Sequence, residues 1–129
     1  MRLIEGNIHQ DERGGVRFVN DFDMSDVKRM YCIEPNLGFV RAWQGHKVER
    51  KWFYVAKGKF LVKILAMESL NKVEYLLTSS DSKVLEIGGG NYNGFEALEE
   101  GSVLLVFSDF NLEQSKKDDC RETLENFKW

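Results

Sequence analysis

The chain has 129 residues, of which 30% are charged with both signs interspersed; that length supports one buried core and reads as a single domain over 1–129. Its formal net charge of -3 offers no basic face to a nucleic-acid backbone. No apolar run approaches the roughly 20 residues that cross a bilayer and the N-terminal stretch Met1 to Asn7 has no apolar leader, so a cytoplasmic chain with neither nucleic acid nor membrane as partner is expected.

Residues 2–5 read as a short first strand. The segment His9-Gln10-Asp11-Glu12-Arg13-Gly14-Gly15 is polar, its paired glycines predict a turn, and β character resumes over 16–20. Asp21 to Asp26 is acidic and turn-like, and 27–34 reads as a strand ended by Pro35. One proline against eleven glycines suits strands punctuated by glycine, because proline removes ladder donors. Two extended runs, 39–43 and 48–56, flank a polar centre holding Gln44, His46 and Lys47. The second ends at Gly58, where a tight turn requires a residue that tolerates positive φ.

Phe60, Val62, Ile64 and Ala66 alternate with Leu61, Lys63 and Leu65, as in a strand with at least one buried face. Further strands are expected over 73–78, 83–87, 95–98 and 103–108, with a flexible rim turn at Gly88-Gly89-Gly90. Roughly nine short strands joined by brief turns favour an all-β barrel or sandwich. From Asn111 to Trp129 the chain turns polar and carries scattered apolar residues, which predicts a short irregular or partly helical C-terminal tail packed over the barrel. Cys32 and Cys120 lack metal-ligand spacing and read as plain thiols.

Gly38, Gln44-Gly45-His46 and Gly58 together resemble the first motif of the cupin family, in which a His-x-His pair and a following Glu hold a metal. Gln44 stands at the first His, Lys51 at the Glu, and Asn93, within Gly88 to Asn93, at the last His of the second motif. Only His46 is kept. An ammonium has no lone pair and amides are poor ligands for transition metals, so the expected fold is a cupin (jelly-roll) barrel without metal or other cofactor.

Within that family the wording resembles the nucleotide-sugar branch. Asp11-Glu12-Arg13-Gly14 is similar to the Asp-x-Arg-Gly signature of the dTDP-4-dehydrorhamnose 3,5-epimerases, and Asn93-Gly94-Phe95 echoes their His-Gly-Phe. Arg29 to Ile33, Arg41 to Lys47, Ser108-Asp109-Phe110 and Asp118 to Arg121 look like the dTDP-sugar 3,4-ketoisomerases. The resemblance implies a homodimer that enolises a dTDP-4-keto-6-deoxyhexose, a nucleotide-linked deoxy sugar, in surface-polysaccharide precursor synthesis.

Such chemistry needs a base for the hydrogen beside the carbonyl, a donor for the enediolate oxygen and an acid to return the proton. In the resembled families the base is the first His of the motif. Gln44 holds that position here, and an amide takes no proton. His46 shares its strand face by the two-residue period and is the candidate replacement, with Tyr31 as acid or enolate donor; the other reading is an interior histidine bonded to Glu49 or Tyr54. Arg41 is expected to hold a phosphate or sugar oxygen, and Arg13 to contact the diphosphate or else to bridge Asp11. Lys51, Asn93 and Tyr92 are further substrate-binding candidates.

Trp43, Trp52, Phe53 and Tyr54 either stack on a nucleobase or fill the core, and His9 reads as a surface or interface histidine. Loss of the family base also admits a cupin that binds a nucleotide sugar without turnover. A barrel with no small ligand is the third reading.

Overall fold

Period-two alternation sorts the chain into two facing antiparallel sheets. The computed structural model describes residues 1–129, with the strands β1 (Arg2–Glu5), β2 (Asn7–Asp11), β3 (Gly14–Phe18), β4 (Arg29–Ile33), β5 (Val40–His46), β6 (Lys51–Lys57), β7 (Lys59–Ala66), β8 (Lys72–Thr78), β9 (Lys83–Ile87), β10 (Asn91–Ala97), β11 (Val103–Ser108) and β12 (Cys120–Arg121), and one helix, α1 (Leu112–Lys117). One sheet runs β1-β9-β6-β11-β4, the other β12-β5-β10-β7-β8, and β2-β3 stands apart as a hairpin.

Directly opposed residues of an antiparallel pair share a face. The register therefore stacks Leu85, Phe53, Val106 and Tyr31 across the first sheet, with Ile87, Lys51, Ser108 and Arg29 forming the next inward row. From the second sheet, Phe60, Val62 and Ile64 of β7 meet them with no exposed surface. Aromatic edges tighten the contact, as where Phe95 meets Phe53 and Phe60 at ring-centroid separations of 6.0 and 6.2 Å. The apolar half of this interior is the core. The Lys51 end is polar.

Both outer faces are covered. The connection after β3 lays Phe22 against Trp52 and Phe107, so Trp52 belongs to a small cluster with Ile4 and Val84 outside the barrel. On the other side the C-terminal tail puts Trp129 against Trp43 and over the Lys63 ammonium, and Phe127 against Tyr92. The hairpin is fastened mainly by Arg17, whose guanidinium donates to the carbonyls of Ala56 (2.7 Å) and Ser79 (2.6 Å).

Several boundaries differ from the sequence reading. The hairpin turn is Glu12-Arg13, with Gly14 and Gly15 already in β3; Gly14 has φ +125°, so its glycine serves the strand start. β5 continues through His46, because Gln44 and His46 pair with Asn93 and Asn91. β6 starts at Lys51, not at 48, since the backbone amides of 47–49 bond a carboxylate instead of a strand. β10 begins at Asn91, not at 95, directly after the glycine turn. The tail contains α1, opened by a capping box in which Asn111 and Gln114 satisfy each other's backbone amides, and then β12. At Gly58, φ is +81° and the Ser102 side chain fills the space a Cβ would need, as the turn required.

Phe60 has 0% exposure and Phe39 has 67%. Phe60→Ala should cost about 3–5 kcal/mol through lost burial and a residual cavity, whereas Phe39→Ala should stay within about 0.5 kcal/mol; urea unfolding of the two variants measures both.

Candidate active site

The polar end of the interior opens into a cavity of about 900 Å³. β4, β6 and β11 supply one wall, β5 and β10 the other, and α1 with residues 119–122 crosses the mouth. Three core residues, Phe53, Phe95 and Val106, close its base. Its floor carries Tyr31, Gln44, Lys51 and Asn93, and its mouth carries Arg41, Lys116, Asp119 and Arg121, all exposed, with half-buried Arg29 between.

Lys51 has 3% exposure. Its ammonium donates to Tyr31 Oη and to Gln44 Oε1, each at 3.1 Å, and lies 3.8 Å from Glu49. Because an ammonium only donates, it fixes which end of the Gln44 amide faces it. The Gln44 NH2 is thereby turned toward Asp119 Oδ1, 3.5 Å away. Asn93 donates to the Gln44 carbonyl, which keeps its amide against β5.

Glu49 is buried and accepts no hydrogen bond. Its carboxylate instead sits among positive groups, 3.5 Å from Arg29 and 3.8 Å from Lys51, with His46 Nδ1 at 3.7 Å. Arg29 also donates to Ser115 of α1 at 3.1 Å and lies over the Tyr31 ring. One carboxylate therefore offsets two cations that border the cavity.

Asp118 ties this assembly to the tail. Its carboxylate accepts the backbone amides of Lys47, Val48 and Glu49 at 2.8–3.0 Å, and its carbonyl takes the His46 Nδ1 proton at 3.0 Å. Partial burial works against the charged carboxyl, but the three amides outweigh it and hold Asp118 below the usual carboxylate range. Trp43 and Glu122 then exchange two backbone hydrogen bonds.

Of the residues singled out in the sequence, Tyr31, Gln44, Arg41, Lys51 and Asn93 meet in one cavity. His46 does not join them: it faces inward but lies behind the wall, with Nδ1 committed to Asp118 and Nε2 buried without a partner. Sharing a strand face with Gln44 brought it to the interior, not to the open space. Tyr92 faces out, packed on Phe127 and the Gly45 backbone. Arg13 bonds Asp11 through Nε and Nη2 on the exposed hairpin, away from the cavity. Trp43 and Phe53 line the cavity, whereas Trp52 packs outside it. The sequence reading missed Lys116 as a cavity residue, and Arg29, Asp119 and Arg121 appeared only inside longer matched stretches.

No group of three or more His, Cys, Asp and Glu side chains converges as a metal site would require, and no helix is long and apolar enough to cross a membrane.

No family model matches the sequence, and no curated protein does. Solved structures do match. A dTDP-4-dehydrorhamnose 3,5-epimerase from Sulfolobus tokodaii superposes with TM-score 0.80 at 24% identity, covering 98% of this chain and 79% of that one. QdtA, a sugar 3,4-ketoisomerase from Thermoanaerobacterium thermosaccharolyticum in complex with TDP, gives 0.76 at 21% identity over 94% and 87%. The rmlC epimerase of Mycobacterium tuberculosis gives 0.78 at 17% identity over 92% of this chain and 66% of its own, just under two thirds of that enzyme. The fold is thus the cupin jelly roll shared with these sugar-nucleotide enzymes.

Burial, reinforced by the Lys51 charge, holds the His46 imidazole below its ordinary value of 6.5, against the opposing pull of Glu49 and Asp118. The unfolded chain then binds the extra proton first, so the contribution of neutral His46 is intact above about pH 6.5 and is lost as pH falls from there toward the lowered folded value. Thermal melts between pH 8 and 5 should show this decline, with a shallower slope in His46→Gln.

Proposed function

We propose that this chain is a nucleotide-sugar isomerase or epimerase that acts on a dTDP-4-keto-6-deoxyhexose by metal-free enolisation, in the manner of a 3,4-ketoisomerase. The observation that carries the proposal is the grading of one cavity from an exposed cationic mouth to a closed floor of hydrogen-bonding groups. At about 900 Å³ it has the size of a small-molecule site. Arg41, Lys116 and Arg121 suit the diphosphate, and the sugar then reaches Tyr31, Gln44, Lys51 and Asn93. The similar ketoisomerase structure is in complex with TDP, which supports a nucleotide as part of the ligand.

Each floor group has a use in that reaction. Loss of a hydrogen beside the C4 carbonyl leaves negative charge on the carbonyl oxygen, and an ammonium in a water-poor recess stabilises such charge more than the ketone that precedes it. Lys51 is that group. Tyr31, bonded to Lys51, carries a proton to or from the sugar oxygens. Asn93 and Gln44 orient the ring. The same reading makes the protein a cytoplasmic homodimer serving surface-polysaccharide synthesis.

Proton NMR of the protein with dTDP-4-keto-6-deoxyglucose in deuterated water should show deuterium entering at C3, with entry at C5 marking epimerase chemistry instead. Lys51→Met should slow that exchange by about 10²–10³, the size of effect expected for losing one oxyanion donor. Nucleotide contacts in saturation transfer without any exchange would refute turnover and establish binding alone.

A further inference from the structure

We propose that Asp119 is the general base of this reaction, an assignment that rests on the enolisation reading above. Among the groups that border the cavity, few can accept a proton near neutral pH: the carboxylates Glu34, Asp119 and Glu122 and the Cys32 thiol. Arginine, ammonium and amide side chains cannot, and His46 lies outside the wall. Of these acceptors, Asp119 alone is hydrogen-bonded to a floor residue, through the Gln44 amide at 3.5 Å.

The position follows from the fold. β12 pairs with the end of β5, placing Cys120 opposite Gly45 and Arg121 opposite Gln44, so Asp119, two positions before Arg121, shares the face of Gln44 and lies diagonal to it. Arg121 Nε donates to the other carboxylate oxygen at 3.0 Å. That bond holds the carboxylate at the rim, and its 30% exposed side chain stays open to the cavity.

Gln44 consequently bridges an acid and a base. Its side-chain oxygen accepts a hydrogen bond from Lys51 and its NH2 group donates to Asp119. A keto sugar lying along this amide has the ammonium at its carbonyl oxygen and the carboxylate at the neighbouring carbon. The proton on C3 passes to Asp119, the C–H electron pair becomes the C3–C4 double bond, and the carbonyl π pair moves to O4, which takes a proton from Lys51. In the return step the O3 proton goes to the Lys51 amine, O3 becomes the carbonyl, and Asp119 gives its proton to C4. Both groups end as they began, and no oxidant or metal takes part. An amide at position 44 is then a positioning residue that sets the spacing between the two proton carriers.

The test is deuterium exchange with the wild type, Asp119→Asn and Asp119→Ala. The asparagine variant preserves shape and should lose exchange at least 100-fold while dTDP affinity stays within threefold. Added formate or acetate should restore part of the exchange in Asp119→Ala, a rescue that a purely structural role would not give. Exchange in Asp119→Asn within tenfold of the wild type would overturn the assignment alone, as would a loss of exchange matched by an equal loss of dTDP affinity. A wild type that shows no exchange overturns the enolisation reading itself and this assignment with it.

Discussion

The carboxylate of Asp118 is the constraint on which the site depends. Three consecutive amides, 47 to 49, have no strand partner after β5 ends, and the last of them belongs to a buried residue, where an unpaired donor would cost free energy. One side chain satisfies all three. Because that side chain lies some seventy positions on, the same bonds pin the tail to the barrel. They bring β12 to β5, set Asp119 and Arg121 at the cavity mouth, and fix the His46 tautomer through the adjacent carbonyl.

Behind this clamp lies a set of charges that stability alone does not explain. Moving an ammonium and a carboxylate out of water is costly, and well-packed apolar side chains of similar volume frequently serve a core as well or better. Lys51 occupies an inward row whose next neighbours are Phe53 and Val106, where an apolar residue would pack. Glu49 lies near enough to offset Lys51 and Arg29 without taking any of their hydrogens, which leaves those donors for the cavity. The arrangement has the form of an interior organised for binding at the expense of packing.

Strand content was legible in the alternation of Phe60, Val62 and Ile64 in β7, whereas the unbroken apolar run of β11 marked a strand without telling Leu104 and Val106, which are buried, from Leu105 and Phe107. Glycines misled. The pair at 14–15 looked like a turn and begins a strand, and the run at 88–90 hid the start of β10, because glycine marks where backbone freedom is needed without saying whether a turn or a strand follows. Tyr31, Gln44, Arg41, Lys51 and Asn93 fall in one cavity because motif spacing follows strand register. Period two correctly turned His46 inward, yet depth along the strand decides who reaches the cavity, and that depends on where the tail crosses. Asp118 and Asp119 carried no local signal of their roles, since their partners at 44 and 47–49 are distant in sequence. Arg13 and Tyr92 sit on exposed or outward surfaces that a one-dimensional motif does not distinguish from the interior.

The β2-β3 hairpin belongs to neither sheet and rests on the barrel chiefly through the Arg17 guanidinium and the carbonyls it meets. Its backbone bonds form a small closed ladder whose loss leaves both sheets paired. Such a unit opens by itself, with a free energy below that of global unfolding. Amide protons of residues 7–18 should accordingly trade with solvent in subglobal excursions that the strands around Phe60 do not share, so the molecule has two tiers of cooperativity although it has one core.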